Sequence, residues 1–232
     1  MYDQQTIQPA YAVADAQSAL LRSVFTWMFA GLLLTGFVST FVVNSPGLVV
    51  PLLRSNMIWI LFIAEIALVV WLSARVMHMS PAKATGIFLT YSALNGITLA
   101  PLAFAYTSES IGSAFMITGA MFGGMALYGH STKRDLSALG SFMMMGVIGI
   151  VIAMLVNFFL QSSMVSFMIS VVAVIAFTGL TAYDVQKFKQ MGAHVREGDD
   201  SFRRFAILGA LTLYLDFINL FVHLLHLIGD RR

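Results

Sequence analysis

Residues 211–227 read LTLYLDFINLFVHLLHL, a run apolar and long enough to enter a membrane, with Asp216 near its middle. A carboxylate at the centre of a membrane helix costs roughly 2.5–3.5 kcal/mol on insertion scales. The polar residues around it follow a pattern. Thr212, Asp216, Asn219, His223 and His226 are spaced by four, three, four and three, so they share one helical face, with Gly209 one step earlier. The other faces are Leu, Phe, Ile and Val. Such a stripe points toward other helices or water and away from lipid. It serves interhelical hydrogen bonding or, because it carries an ionisable group at depth, a function.

Composition sets the class. Of 232 residues, 59% are hydrophobic and 10% charged, with a mean hydropathy of +0.84. A soluble globule of this composition would need more interior than its length provides, and a lipid-facing exterior removes the conflict. Seven apolar segments follow one another at about 23–43, 57–77, 84–106, 111–129, 139–160, 164–184 and 205–228. Each approaches the ~20 residues that cross a hydrocarbon core. The expectation is an all-α, polytopic membrane protein. A polar cytoplasmic N-terminus (1–21) precedes a single seven-helix transmembrane domain (22–232). No small-residue cleavage site follows the first apolar run, so it reads as a retained helix. The absence of cysteine excludes disulfides, thiolate catalysis and Cys-ligated zinc.

Basic residues give the orientation. With the N-terminus in the cytoplasm, Arg22, Arg75, Lys83, Lys133, Arg134, Lys187, Lys189, Arg196, Arg203 and Arg204 all face inward, and Arg54 faces outward. Arg231 and Arg232 are the exception. Either the seventh helix crosses and they lie outside, or it is re-entrant and they stay inside; crossing is the reading taken.

Three further features stand out. Asp184, in GLTAYDVQKFK, is read as the end of the sixth helix, either a solvated terminal carboxylate or a partner of Asp216. Asp216 lies about 16 Å into the seventh segment, and about 20 polar residues join the two segments, so the pair can meet only if one helix is longer than its apolar run. Glu65, in LFIAEIALVV, has apolar neighbours on every side and is a packing residue or a second acidic station on an ion path. Arg75, one helical end away, reads as an interfacial snorkelling residue. Gly119 and Gly123, or Ala120 and Gly124, have the spacing of close helix contacts. Pro101 is expected to kink the third helix near Asn95 and Gly96.

The stretches YSALNGITLAP, GMALYGHSTKRDLS, GLTAYDVQK and ALTLYLDFINLF resemble motifs of the Bax inhibitor-1 (transmembrane Bax inhibitor motif) family, in its bacterial branch, over nearly the whole chain from about residue 20. The resemblance implies seven helices with the last surrounded by the other six, in the bacterial inner membrane. It also implies a pH-sensitive calcium leak governed by a pair of aspartates, here Asp184 and Asp216. An acidic residue of the second helix, Glu65, would lie on the ion path, and Arg75 would latch the sixth-helix aspartate; Asn219 and His223, on the polar stripe, are read as further members of that path. His223 and His226 fall outside the family pattern.

Chemistry makes that implication reasonable. Two carboxylates held close in low dielectric cannot both ionise cheaply and titrate as a unit. Calcium takes about six to eight oxygens, so Asp184, Asp216 and Glu65 suit transient passage better than storage; calcium enters as the permeating ion, with no resident cofactor. An intramembrane aspartyl protease would need the same shared proton, but LYLDFIN replaces the Gly-rich GxGD of those enzymes, and the chain reads as a non-enzyme. Zinc on Asp216, His223 and His226 lacks a compact ligand set. The basic residues are accounted for by topology, which leaves nucleic acid without a site. The alternative function is a regulatory membrane protein that binds and modulates a membrane-bound protease through the N-terminus or the 185–204 loop.

Overall fold

The computed structural model describes the backbone of residues 4–54 and 57–232 and the side chains of residues 13–51 and 57–232. Met1 to Asp3 of the expected polar N-terminus, and the side chain of Arg54, expected to face outward, lie outside the described residues. The described chain is helical: α1 (Gln4–Val43), α2 (Pro46–Arg54), α3 (Met57–Arg75) with a 3-10 turn (Val76–His78), α4 (Pro81–Leu99), α5 (Leu102–Ala105), α6 (Ser108–Ser131), α7 (Ser137–Leu160), α8 (Ser163–Gly192) and α9 (Asp200–Ile228). Seven stretches are long and apolar enough to cross a bilayer, α4 and α5 counting as one. The protein is a helical, polytopic membrane protein.

The exterior shows why lipid is needed. Only 6% of the α7 span is buried, and Phe142, Leu155 and Phe159 are 65%, 63% and 83% exposed. The α9 span is 61% buried, the largest share of the seven. The chain's only β pairing among the described residues is an isolated bridge between Tyr106 and Arg231.

Several boundaries differ from the sequence reading. The first helix begins well inside the segment read as a polar tail, because Ala19, Leu20, Leu21 and Val24 are already buried. Helix α8 runs eight residues past Asp184, and α9 starts at Asp200, so residues 193–199 alone connect them in place of about twenty. The physical reason is that Val185, Phe188, Phe202, Ala206 and Ile207 bury their side chains through polar-looking sequence. The third span breaks at Pro101 as expected. Ala100 closes a tight turn onto the Ile97 carbonyl, and α5 restarts beyond it.

The chain divides into two compact units, Met1–Phe104 with Phe188–Tyr214, and Ala105–Lys187 with Leu215–Arg232. In the first, α1 lies against α4 at two glycines. A Cβ at Gly31 would stand 2.6 Å from the Phe88 ring, and one at Gly96 would stand 2.6 Å from the Thr35 carbonyl oxygen. An apolar cluster of Val42, Val49 and Ala100, with Val38, Ile58, Leu61 and Ile97 around it, closes one end of that unit.

In the second unit, the close approaches are Gly129 of α6 against the Ala182 carbonyl, Gly140 of α7 against the Tyr183 ring, and Gly179 of α8 against Met143. The expected packing glycines are elsewhere: a Cβ at Gly119, Gly123 or Gly124 would meet nothing within 4 Å. The connection 132–136 is tied to α8, where Gln186 donates to the Arg134 carbonyl (2.8 Å) and accepts from the Leu136 N–H (2.9 Å). Asp135, in that connection, accepts from Ser137 N–H at 2.9 Å. Hydrogen bonding from the Ser137 side chain and backbone holds its carboxyl below the usual range.

At the opposite end of α6 sits the tail. Thr107 N–H donates to the Asp230 carbonyl (3.2 Å), Arg232 N–H to the Ala105 carbonyl (3.0 Å) and Asp230 N–H to the Ser110 hydroxyl (2.9 Å). Helix α6 has 24 residues, so those two ends are about 36 Å apart. Helix α8 ends at one and α9 at the other. That arrangement fits the expectation that the seventh helix crosses.

Candidate functional site

Asp184 and Asp216 are 5% and 4% exposed. Neither is a terminal, solvated carboxylate. Asp184 sits two turns inside α8 and Asp216 near the middle of α9. The two carboxyls are close enough to act on each other electrostatically, and Lys187 acts on Asp184 as a counter-charge. The Oδ2 oxygen of Asp216 accepts no hydrogen bond from any described residue.

The longer helices resolve the depth mismatch. Phe188 packs over Gly209, 3.1 Å from where a Cβ would stand. Asp184 lies four residues before Phe188 and Asp216 seven after Gly209, about 6 and 10 Å along antiparallel helices. Both carboxylates thus arrive at similar depth. The motif holding Asp184 is clamped on each side: Ala182 on Gly129, Tyr183 on Gly140, and Gln186 on the 132–136 connection. Two stretches that carried the family resemblance, GMALYGHSTKRDLS and GLTAYDVQK, are therefore in direct contact.

Glu65 is buried, 6% exposed. Thr98 donates to its Oε1 at 2.7 Å and Asn95 Nδ2 reaches Oε2 at 3.5 Å, also 3.5 Å from the Tyr91 hydroxyl. The Asn95 Oδ1 is buried without a partner among the described residues. Tyr91 stacks edge-on against Tyr214 at 5.7 Å, and Tyr214 bonds Thr35 at 2.7 Å. Thr35 has one proton to give, and it faces the Ser92 carbonyl at 2.8 Å and the Gly31 carbonyl at 2.9 Å, so Tyr214 is the donor to it. Sequence reading missed this group: Thr35, Tyr91, Thr98 and Tyr214 each look like ordinary helix residues, and only tertiary contact joins them.

The stripe on α9 is engaged along its length. Thr212 and Asn219 donate to carbonyls of their own helix, at Leu208 (3.0 Å) and Leu215 (2.8 Å). His223 Nδ1 lies 3.2 Å from the Ser170 hydroxyl. His226 Nδ1 faces the Tyr106 hydroxyl at 3.4 Å and the Arg231 guanidinium at 3.3 Å. Asp216 is the fully buried member. Arg75 is exposed at the end of α3 and forms no ion pair among the described residues. No three His, Asp or Glu side chains lie together as a metal site among the described residues.

A family described as Inhibitor of apoptosis-promoting Bax1 matches residues 17–232. The chain is 49% identical over 215 residues to the Escherichia coli inner membrane protein YbhL, covering 91% of this chain and 92% of that one. It is 39% identical to an uncharacterized protein of Borreliella burgdorferi, covering 93% and 94% of the two chains. An uncharacterized protein of Deinococcus radiodurans is 38% identical, with 99% and 97% covered.

Proposed function

The chain belongs to the Bax inhibitor-1 family, and from that premise we propose that it is a pH-sensitive calcium leak of the bacterial inner membrane, with its N-terminus in the cytoplasm. The observation that carries the reading is the pair Asp184 and Asp216, both buried and at similar depth on neighbouring antiparallel helices. Two such carboxylates share a proton when held together and separate when both are charged. The pair is then a latch between α8 and α9, closed by the shared proton. Calcium passes along the α9 face past Asn219 and His223, with Glu65 as a second acidic station. A few carboxylates without a full oxygen cage favour passage over storage.

Calcium flux into liposomes holding the purified protein alone, measured from pH 6 to 8, tests this. A flux that changes across that range supports the latch. A flux equal to that of empty liposomes at every pH overturns it and favours the regulatory alternative, in which a membrane protease copurifies and no ion moves.

A further inference from the structure

An open groove of about 790 Å³ lies in the first unit, walled by α1, α4, the 193–199 connection and the start of α9. Its lining is graded. Glu197 and Arg203 stand at the ends of the helices, both exposed and neither in an ion pair among the described residues. Leu89 and Ile207 lie eight residues beyond Pro81 and seven beyond Asp200, about 10–12 Å further along their helices. Trp27 of α1 joins them. Charge at the mouth and apolar surface along the length is the profile of a phospholipid, whose headgroup stays at the interface while its chains follow the helices.

We propose that this groove binds a phospholipid bearing a free amine, with the phosphate on Arg203 and the ammonium on Glu197. The inference is independent of calcium flux. The charges decide the class: one guanidinium and one carboxylate complement a headgroup holding one phosphate and one ammonium. An anionic glycerol headgroup would leave Glu197 facing negative charge. A quaternary choline would approach Glu197 without an N–H to donate. Arg suits the phosphate because its planar fork grips two oxygens. The volume falls in the range of about 300–1,000 Å³ typical of ligand pockets. Gly86 lines the groove beside open space, since a Cβ there would meet nothing within 4 Å.

That space supplies a variant whose added Cβ meets no neighbour and whose side chain occupies the groove. The full chain, purified in detergent, is titrated with phosphatidylethanolamine, phosphatidylglycerol and phosphatidylcholine of matched chains, and bound lipid is counted by native mass spectrometry. One phosphatidylethanolamine should be retained at the lowest lipid excess. Gly86→Leu should abolish that retention with thermal unfolding unchanged. Arg203→Gln should weaken it about tenfold, the usual effect of losing one charge-assisted hydrogen bond. Glu197→Gln should erase the preference over phosphatidylglycerol. Equal retention of all three lipids, a preference for phosphatidylglycerol in the unaltered protein, or full retention by Gly86→Leu would each overturn the proposal. Should Gly86→Leu unfold, Arg203→Gln, at an exposed position, carries the decision alone.

Discussion

Asp216 is the residue on which the functional reading turns, and its environment separates three accounts of it. If it shares a proton with Asp184, either carboxylate alone has lost its partner. Asp184→Asn and Asp216→Asn should then each flatten the pH dependence of flux, and the double variant should be hardly worse than either single one, because coupled sites do not add. A lone structural aspartate gives a different result: Asp216→Asn would change stability, Asp184→Asn would do little, and the effects would sum. A sensor built on His223 and His226 would leave the double variant with its pH response intact. The stripe that singled out Asp216 was legible from spacing, because spacing reports a face. Its partner was less so. KFKQMG after Asp184 reads as a loop by composition, yet Phe188 is 1% exposed, and packing carried the helix past the point where hydropathy falls.

At the scale of single elements, the position of Asp184 depends on where α8 meets α6. Gly129 approaches the Ala182 carbonyl so closely that no Cβ fits. Gly129→Val should push α8 from α6, with a stability loss of about 1–3 kcal/mol, as for other overpacked interiors. Gly123→Val, at a position with open space around it, is the paired control and should leave thermal unfolding within a degree or two. Equal losses for both would mean that β-branching in the helix, and not the contact, sets the cost. The two glycines lie six residues apart on one helix, and the sequence offers nothing to tell them apart. Small residues at helical spacing say that a close approach is allowed, whereas the neighbour that uses it is fixed by the chain elsewhere. The same limit hid Thr98 as the donor to Glu65, since α3 and α4 are periodic each by itself and carry no mark of their mutual register.

For the whole molecule, seven spans were legible because each buries or exposes nearly a full bilayer thickness of apolar side chains, a signal that survives errors of several residues at the ends. The direction of the last span was the open point, and the tail on residues 105–110 supports crossing. With the N-terminus inside, a periplasm-active reporter fused after Arg232 should be active, and the same reporter fused at residue 195 should be silent. Silence in both fusions would contradict a crossing helix and support the re-entrant one. The charges that made the tail an exception to the positive-inside pattern have specific partners: Arg231 stands over the Tyr106 ring at 5.9 Å, and Arg232 reaches the Ser108 hydroxyl at 3.4 Å.

That tail also has a place in time. Its partners at 105–110 precede it by about 120 residues, and chains grow at roughly 5–20 residues per second. The end of α6 therefore waits about 6 to 24 seconds in the membrane before its last hydrogen bonds can form. During that wait the Thr107 N–H and the Ala105 carbonyl, which the finished protein pairs with the tail, are served by water. Assembly of the second unit is thus timed by synthesis, since the strap pairs with residues made about 120 positions before it.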